Sequence, residues 1–276
     1  MAYRVKELPE RGASIVHLSR KGECPDDNTA TCLLRVTVKG RFAAAVQKET
    51  TLPVMKCRHS GRSRQVKVPC ITHESLSTAS ANRTFFSEKN ARAIALISSP
   101  GAGKTSLLMA TLKTLNRHIP FYVIEGDPYT SSDALLIRAT GTPVVQINTG
   151  RHCGLNAGMV ADALNHLDPA SGSIVFIENV GSLSCPRSMD LGEHESVVLL
   201  SVAEGADKPL KHPQLFVAAT LLIITKSDLL SHVEFDVLEC MENALMVNPQ
   251  LDIIILSALH GEGLDSWYDW LDKRHE

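Results

Sequence analysis

From Ala93 onward, short apolar runs rich in β-branched residues recur along the chain: Ala93–Ser98, Phe121–Ile124, Val144–Ile147, Ile174–Ile177, Val197–Val202, Leu221–Ile224 and Ile253–Leu256. Amphipathic stretches of helical length lie between several of them, among them Lys104–Asn116, Gly158–Leu167, Glu234–Met246 and Leu264–Leu271. A strand that is apolar on both faces must be covered on both faces, and alternation with helices supplies that cover only around parallel strands. The pattern predicts an α/β chain with a mostly parallel, doubly wound sheet of about seven strands. Ligands on such a sheet sit beyond the carboxyl ends of the strands, and the polar residues of this sequence cluster at those ends.

Residues 1–92 lack this regularity and differ in charge. They hold 17 of the 28 Lys and Arg against 8 of the 30 Asp and Glu, a surplus of nine positive charges, whereas the remainder carries a surplus of eleven negative ones. A basic segment suggests nucleic acid or anionic lipid. Its weak patterning reads better as a solvated, partly disordered extension. Leu33–Val38 alternates like a single strand, and the polar, basic stretch around Cys57–Arg64 lacks the aromatic residues of a single-strand stacking platform. We therefore divide the chain into a basic N-terminal extension over residues 1–80 and an α/β domain over 81–276.

With 44% hydrophobic residues in 276 the chain can bury a full core, which excludes disordered and fibrous classes. The longest apolar stretch, Leu215 to Thr225, is too short to span a bilayer, and no apolar segment of a secretory signal follows Met1. Seven cysteines without regular spacing do not form a disulfide framework. The expectation is a cytoplasmic protein with neither membrane nor nucleic acid among its partners.

The first strand runs into Ser98-Ser99-Pro100-Gly101-Ala102-Gly103-Lys104-Thr105 and then a helix. The phosphate-loop pattern is G-x-x-x-x-G-K-[ST]; Ser98 stands for the first glycine, and Gly103, Lys104 and Thr105 fit. Small residues let backbone N–H groups converge on phosphate oxygens at the positive end of the helix dipole. Gly101, Ala102, Gly103, Lys104, Thr105 and Ser106 are thus the phosphate-binding candidates, Lys104 neutralising the β- and γ-phosphates and Thr105 ligating Mg²⁺. An ordinary glycine-rich turn is the plainer explanation, and the strand before and helix after weigh against it.

Glu125-Gly126-Asp127 and Glu178-Asn179-Val180-Gly181 end two further strands. One acid in such a place is often a helix cap. Two of them beside a phosphate loop favour Asp127 and Glu178 as holders of Mg²⁺, and with Lys104 they make the expected catalytic set. The sixth strand ends Thr225-Lys226-Ser227-Asp228 and the seventh is followed by Ser257-Ala258-Leu259. Guanine-binding domains carry N-K-x-D and S-A-x at these places, so Lys226, Asp228, Ser257 and Ala258 are candidates for the base. Thr225 replaces the asparagine that braces this loop against the phosphate loop, which puts affinity or base specificity in question.

These residues resemble the hydrogenase nickel-incorporation GTPase family, HypB, a relative of the urease accessory GTPases within the SIMIBI class. The resemblance covers about Asn82 to Trp270. It rests on Ser98–Leu108, Val123–Asp127 with Thr130, Asp133 and Ala134, Arg138–Thr142, Gln146–Gly150, Phe176–Gly181, Cys185-Pro186, Asp190–Glu193, Glu204–Pro209 and Ser257–Leu264. It implies a GTP-hydrolysing metallochaperone that binds nickel or zinc (Ni²⁺ or Zn²⁺) and drives nickel insertion into a [NiFe]-hydrogenase. Its implied partners are a second copy in a GTP-dependent homodimer, a HypA-like metallochaperone and the hydrogenase large-subunit precursor.

The family's metal site, a Cys-His pair and a second Cys at the dimer interface, falls here on Cys153 and Cys185. Gly154 stands where the family has its histidine, Asn156 where it has an aspartate, and His152 lies on the other side of Cys153. Two thiolates and an imidazole suit Zn²⁺ or Ni²⁺; a surface histidine and two small buried cysteines are the plainer alternatives. The N-terminal metal motifs of many members are missing, and among Cys24, Cys32, Cys57 and Cys70 only Cys57-Arg58-His59 resembles a chelating pair. Cys240, inside a helical pattern, reads as core. The competing functions are a metal-binding scaffold with a decayed GTPase and a urease-type accessory GTPase.

Overall fold

A computed structural model of the chain describes residues 16–21, 33–38, 73–116, 118–127, 132–149, 154–179 and 190–273. It separates Met1–Val68 from Pro69–Glu276. In the first unit β1 (Val16–Lys21) and β2 (Leu33–Val38) pair antiparallel, with Val16 opposite Val38 and Lys21 opposite Leu33. The strand expected at Leu33–Val38 is present.

In the second unit α1 (His73–Glu88) precedes β3 (Arg92–Ser98), α2 (Lys104–Leu115), β4 (Phe121–Asp127), α3 (Ser132–Arg138), β5 (Val144–Asn148), α4 (Ala157–Leu167) and β6 (Ile174–Glu178). There follow β7 (Glu195–Ser201), the short helices α5 (Lys208–Lys211) and α6 (Pro213–Val217), β8 (Leu221–Thr225), a 3-10 turn at Ser227–Leu229, α7 (Val237–Val247), β9 (Asp252–Ile255) and α8 (Leu264–Lys273). Seven strands form one sheet in the order β5-β4-β6-β3-β7-β8-β9, and every neighbouring pair is parallel. The α/β, doubly wound P-loop architecture expected from the strand pattern is the one observed.

Alternation along the strands sorts the core into two layers. Ile94, Leu96 and Phe176 pack with Leu107, Leu108 and Trp267 from α2 and α8. Ala93, Val175 and Ile177 pack on the other face with Phe86, Val160 and Leu164 from α1 and α4. Parallel strands need crossovers that return the chain to the same edge, so the carboxyl ends of β3, β4, β6 and β8 lie at one end of the sheet.

Local chemistry moves some helix ends from their expected positions. Asp236 accepts the N–H groups of Leu238 and Glu239, so α7 begins three residues after the amphipathic pattern does. Asn156 accepts the Met159 N–H and starts α4. Asn or Asp serves equally well as such a cap, so the aspartate that the resemblance implies at 156 is not needed to start the helix. Helix α1 has no apolar stripe to announce it. It is fastened by Phe86, fully buried, and by Asn82, whose Nδ2 donates to the carbonyls of Ala157 and Leu191 at 2.9 and 2.8 Å. Gly192, at φ +90°, lets the chain pass so close that a Cβ there would lie 2.6 Å from the Ala79 carbonyl.

Trp267 and Trp270 stack at 5.5 Å, and the buried Trp267 Nε1 donates to Thr111 Oγ1 at 2.8 Å. Trp267→Ala is expected to cost about 3–5 kcal/mol through the cavity it leaves, and Trp267→Phe less than Trp267→Ala. Urea unfolding followed by far-UV circular dichroism measures both.

Candidate functional site

A cleft of about 530 Å³ opens at the carboxyl ends of the central strands. Its lining brings together Gly101, Gly103, Lys104, Thr105 and Ser106 from the β3–α2 loop, Glu125 and Asp127 from β4, Asp133 from α3, Glu178 and Asn179 from the end of β6, and Lys226 after β8. The sequence singles out most of these. Ala102 lies beneath the loop, 1% exposed.

The loop takes this shape because Gly103 sits at φ +98° at the start of α2, in the left-handed region that glycine tolerates best. Lys104 follows and turns inward, where its Nζ donates to Ser98 Oγ at 2.8 Å. Ser98, in the place of the first glycine of the pattern, thus holds the lysine directly. Thr105 Oγ1 lies 3.1 Å from Asp133 Oδ2 and 3.4 Å from Glu178 Oε1, and its single proton serves one of the two at a time.

Glu125 and Asp133 are the acids that sequence reasoning left out of the site. Glu125 and Asp127 alternate onto the same face of β4. The parallel register pairs Glu125 with Glu178 on the adjacent strand. Alternation gives the first fact from sequence, but the second needs the strand order. The two carboxylates are buried, and each has an oxygen with no hydrogen-bond partner.

Burial, reinforced by the charges of Glu178, Asp127 and Asp133, pushes the Glu125 carboxyl up to about 7. Burial likewise raises Glu178 to about 7, against the pull of Lys104. The same burial lowers the Lys104 pKa, opposed first by Glu178. Unpartnered buried carboxylate oxygens beside a hydroxyl are the hard donors that Mg²⁺ takes, so Thr105 and Glu178, with Asp127 close by, fit that ion. Among the described residues no three His, Cys, Asp or Glu side chains form a metal cluster. A divalent ion here would draw on phosphate oxygens and water as well, which is the habit of Mg²⁺.

The residues expected to meet the base are tied to one another. Ser257 Oγ donates to Asp228 Oδ1 at 2.5 Å, and Lys226 holds a left-handed backbone at φ +59° that turns the chain into the 3-10 segment. Ala258 is partly buried beside them. Thr225, the departure from the guanine-binding pattern, donates its buried Oγ1 to the Ala102 carbonyl at 2.6 Å. A shorter side chain therefore supplies the bond between base loop and phosphate loop for which an asparagine was expected.

His152, Cys153 and Cys185 lie outside the described residues. Of their surroundings, Gly154 is described: a Cβ there would come 2.7 Å from Asn179 Oδ1, which also accepts the Leu155 N–H at 3.0 Å. The Asn179 amide takes the space that a side chain at 154 would need. Cys240 on α7 is fully buried, and burial pushes its thiol up to about 12; it is a core residue.

The family description "CobW/HypB/UreG, nucleotide-binding domain" matches residues 92–255. The hydrogenase maturation factor HypB of Escherichia coli K12 is 51% identical over 196 residues, which are 71% of this chain and 68% of that protein. The crystal structure of HypB from Archaeoglobus fulgidus, 32% identical, superposes with a TM-score of 0.70 over 74% of this chain and 100% of its own. The HypB structure from Helicobacter pylori in complex with nickel, also 32% identical, gives 0.69 over 73% and 95%.

Thr225→Val removes the hydroxyl and leaves the Ala102 carbonyl without that donor, a loss of about 1–3 kcal/mol. It is expected to weaken nucleotide binding by about tenfold or more in calorimetry, with Thr225→Ser retaining most of the affinity. The folded pKa of about 7 for Glu125 and Glu178 lies above the ordinary 4.5, so the folded state binds the extra protons. That contribution to stability is complete below pH 4.5 and is lost as pH rises through about 7. The melting point of the ligand-free protein should fall across this window, while the gain from added Mg²⁺ and nucleotide should grow.

Proposed function

This chain belongs to the CobW/HypB/UreG nucleotide-binding family, and from that membership we propose that it is a GTP-hydrolysing metallochaperone that inserts nickel into a [NiFe]-hydrogenase large subunit during maturation. The observation that carries the reading is the meeting of Lys104, Thr105 and Glu178 in one cleft, with a base loop tied to the phosphate loop by Thr225.

GTP lies across Gly101–Ser106, with its phosphates on the backbone N–H groups of the loop and on Lys104. The lysine exchanges its bond to Ser98 for phosphate oxygens. Asp228, oriented by Ser257, accepts the guanine N–H groups, and Lys226 and Ala258 flank the base. Mg²⁺, held by Thr105 and Glu178 with Asp127, supplies charge neutralisation at the β- and γ-phosphates. Hydrolysis is then a matter of positioning and charge, for which Lys104 and the acids around it are arranged.

Nickel is cargo in this reading. Cys153 and Cys185, with His152 beside the first, offer thiolate and imidazole donors of the kind that hold Ni²⁺ or Zn²⁺. The Helicobacter pylori relative, crystallised with nickel, supports a metal role. The GTP form favours a homodimer in which these residues of the two copies face each other. Hydrolysis changes the coordination and releases the ion toward the hydrogenase large-subunit precursor, with a HypA-like metallochaperone as partner. A ligand moves such an equilibrium only through its different affinity for the two states. We place this work in the cytoplasm; among the described residues no helix is long and apolar enough to cross a membrane.

Mg²⁺-dependent phosphate release should be selective for GTP over ATP and should disappear in Lys104→Ala. A wild-type protein that turns over neither nucleotide refutes the hydrolysis reading. Ni²⁺ stoichiometry and dimer fraction should differ between GDP and a non-hydrolysable GTP analogue, and Cys153→Ala and Cys185→Ala should each abolish that difference. Identical values in the two nucleotide states would refute the switch.

A further inference from the structure

The stretch Glu204–Pro209 has no role in the assignments above, yet it runs beside the phosphate loop. It leaves the end of β7 through Gly205, at φ +100°, and folds Glu204 back on itself. Glu204 Oε1 accepts the Ser201 N–H at 3.0 Å, and Oε2 lies 3.3 Å from Lys208 Nζ, the side chains of the pair being 15% and 23% exposed. Lys208 Nζ donates to Ser99 Oγ at 3.4 Å.

Ser99 belongs to the phosphate loop. Its carbonyl accepts from Ser98 Oγ at 2.6 Å and from the Ala102 N–H at 3.3 Å. Two lysines far apart in sequence thus hold adjacent serines of one arm of the loop, Lys104 on Ser98 and Lys208 on Ser99. The 202–208 turn is itself anchored. The Val202 N–H donates to the Thr225 carbonyl at 3.2 Å, and Asn243 Nδ2 on α7 donates to the Ala206 carbonyl at 3.1 Å.

We propose that Lys208, clamped by Glu204, is a positioning residue of the nucleotide site that acts through Ser99 to fix the arm of the phosphate loop leading into Pro100 and Gly101. This rests on the hydrolysis reading above. Lys208 does not line the cleft, whereas Pro100 and Gly101 do. Its effect on the phosphates is therefore indirect, and a small displacement of the loop is enough to be costly, since about 1 Å of misplacement can cost about 100-fold in rate. Lys208 bonds Ser99 and not the Lys226–Asp228 segment, so its loss bears on the phosphates and is expected to leave guanine selectivity unchanged.

The test is steady-state GTP and ATP hydrolysis by the full chain carrying Lys208→Met, Lys208→Arg, Ser99→Ala and the Lys208→Met/Ser99→Ala pair. Lys208→Met is expected to lower kcat/KM about five- to tenfold with the preference for GTP over ATP unchanged, and Lys208→Arg to restore most of it, because Arg keeps a charged N–H donor for the Ser99 hydroxyl and for Glu204. Ser99→Ala, which removes only a hydroxyl, should give a similar loss, and adding Lys208→Met to it should cost less than about twofold more, the non-additivity of two groups acting as one. Lys208→Met within about twofold of an active wild type would overturn the proposal alone. So would a full further loss in the Ser99→Ala background, which would mean that Lys208 acts directly. A wild type without turnover would overturn the hydrolysis reading and this inference with it.

Discussion

Lys104 is buried beside Glu125, Glu178 and Asp133, and the cleft is organised around that crowding. An ammonium in a dry site is costly unless charges or hydrogen bonds offset it. Here Ser98 bonds it, and the acids draw its pKa upward against the desolvation that lowers it. The acids suffer the opposite strain: burial raises both Glu125 and Glu178, and the parallel register adds the charge of Glu178 beside Glu125. Neither sign is satisfied within the protein alone. In the proposed function a magnesium–nucleotide complex would supply both missing halves, phosphate for the lysine and a divalent cation for the carboxylates.

Such a site needs a loop that holds its shape before the ligand arrives. The bonds that hold it come from widely separated parts of the chain: Thr225 reaches Ala102 from the end of β8, and Lys208 reaches Ser99 from the turn after β7. Pre-organised dipoles cost no rearrangement when charge must be bound. Away from the cleft the packing is held differently. Asn82 on α1 bonds the carbonyls of Ala157 and Leu191, the points where the chain continues from the segments that carry Cys153 and Cys185. Asn179, which lines the cleft, accepts the Leu155 N–H.

Much of this was legible in the linear sequence. Apolar runs such as Ile174–Ile177 and Leu221–Ile224 are buried strands whatever surrounds them, because no face of them can meet water, and both are strands in the fold. The Gly103-Lys104-Thr105 turn between strand and helix carries its chemistry in its own backbone. Helix α1 could not be found this way. Its residues are mostly polar, and it is kept in place by a few specific contacts with chain a hundred residues away. Asp133 was visible only as a residue in a family stretch, and its approach to Thr105 depends on where α3 packs.

The sequence by itself determined the fold class and singled out the strand-to-helix turn at Gly103-Lys104-Thr105 and the Thr225–Asp228 segment as candidates, since each depends on periodicity or on spacing within a few residues. Tertiary structure decided which carboxylates share the cleft, how far their protons are held, and that Thr225 replaces the expected asparagine as a brace. Those properties arise from strand order and register: the β4–β6 pairing puts Glu125 beside Glu178 across 53 residues of chain, a distance that no local pattern can encode.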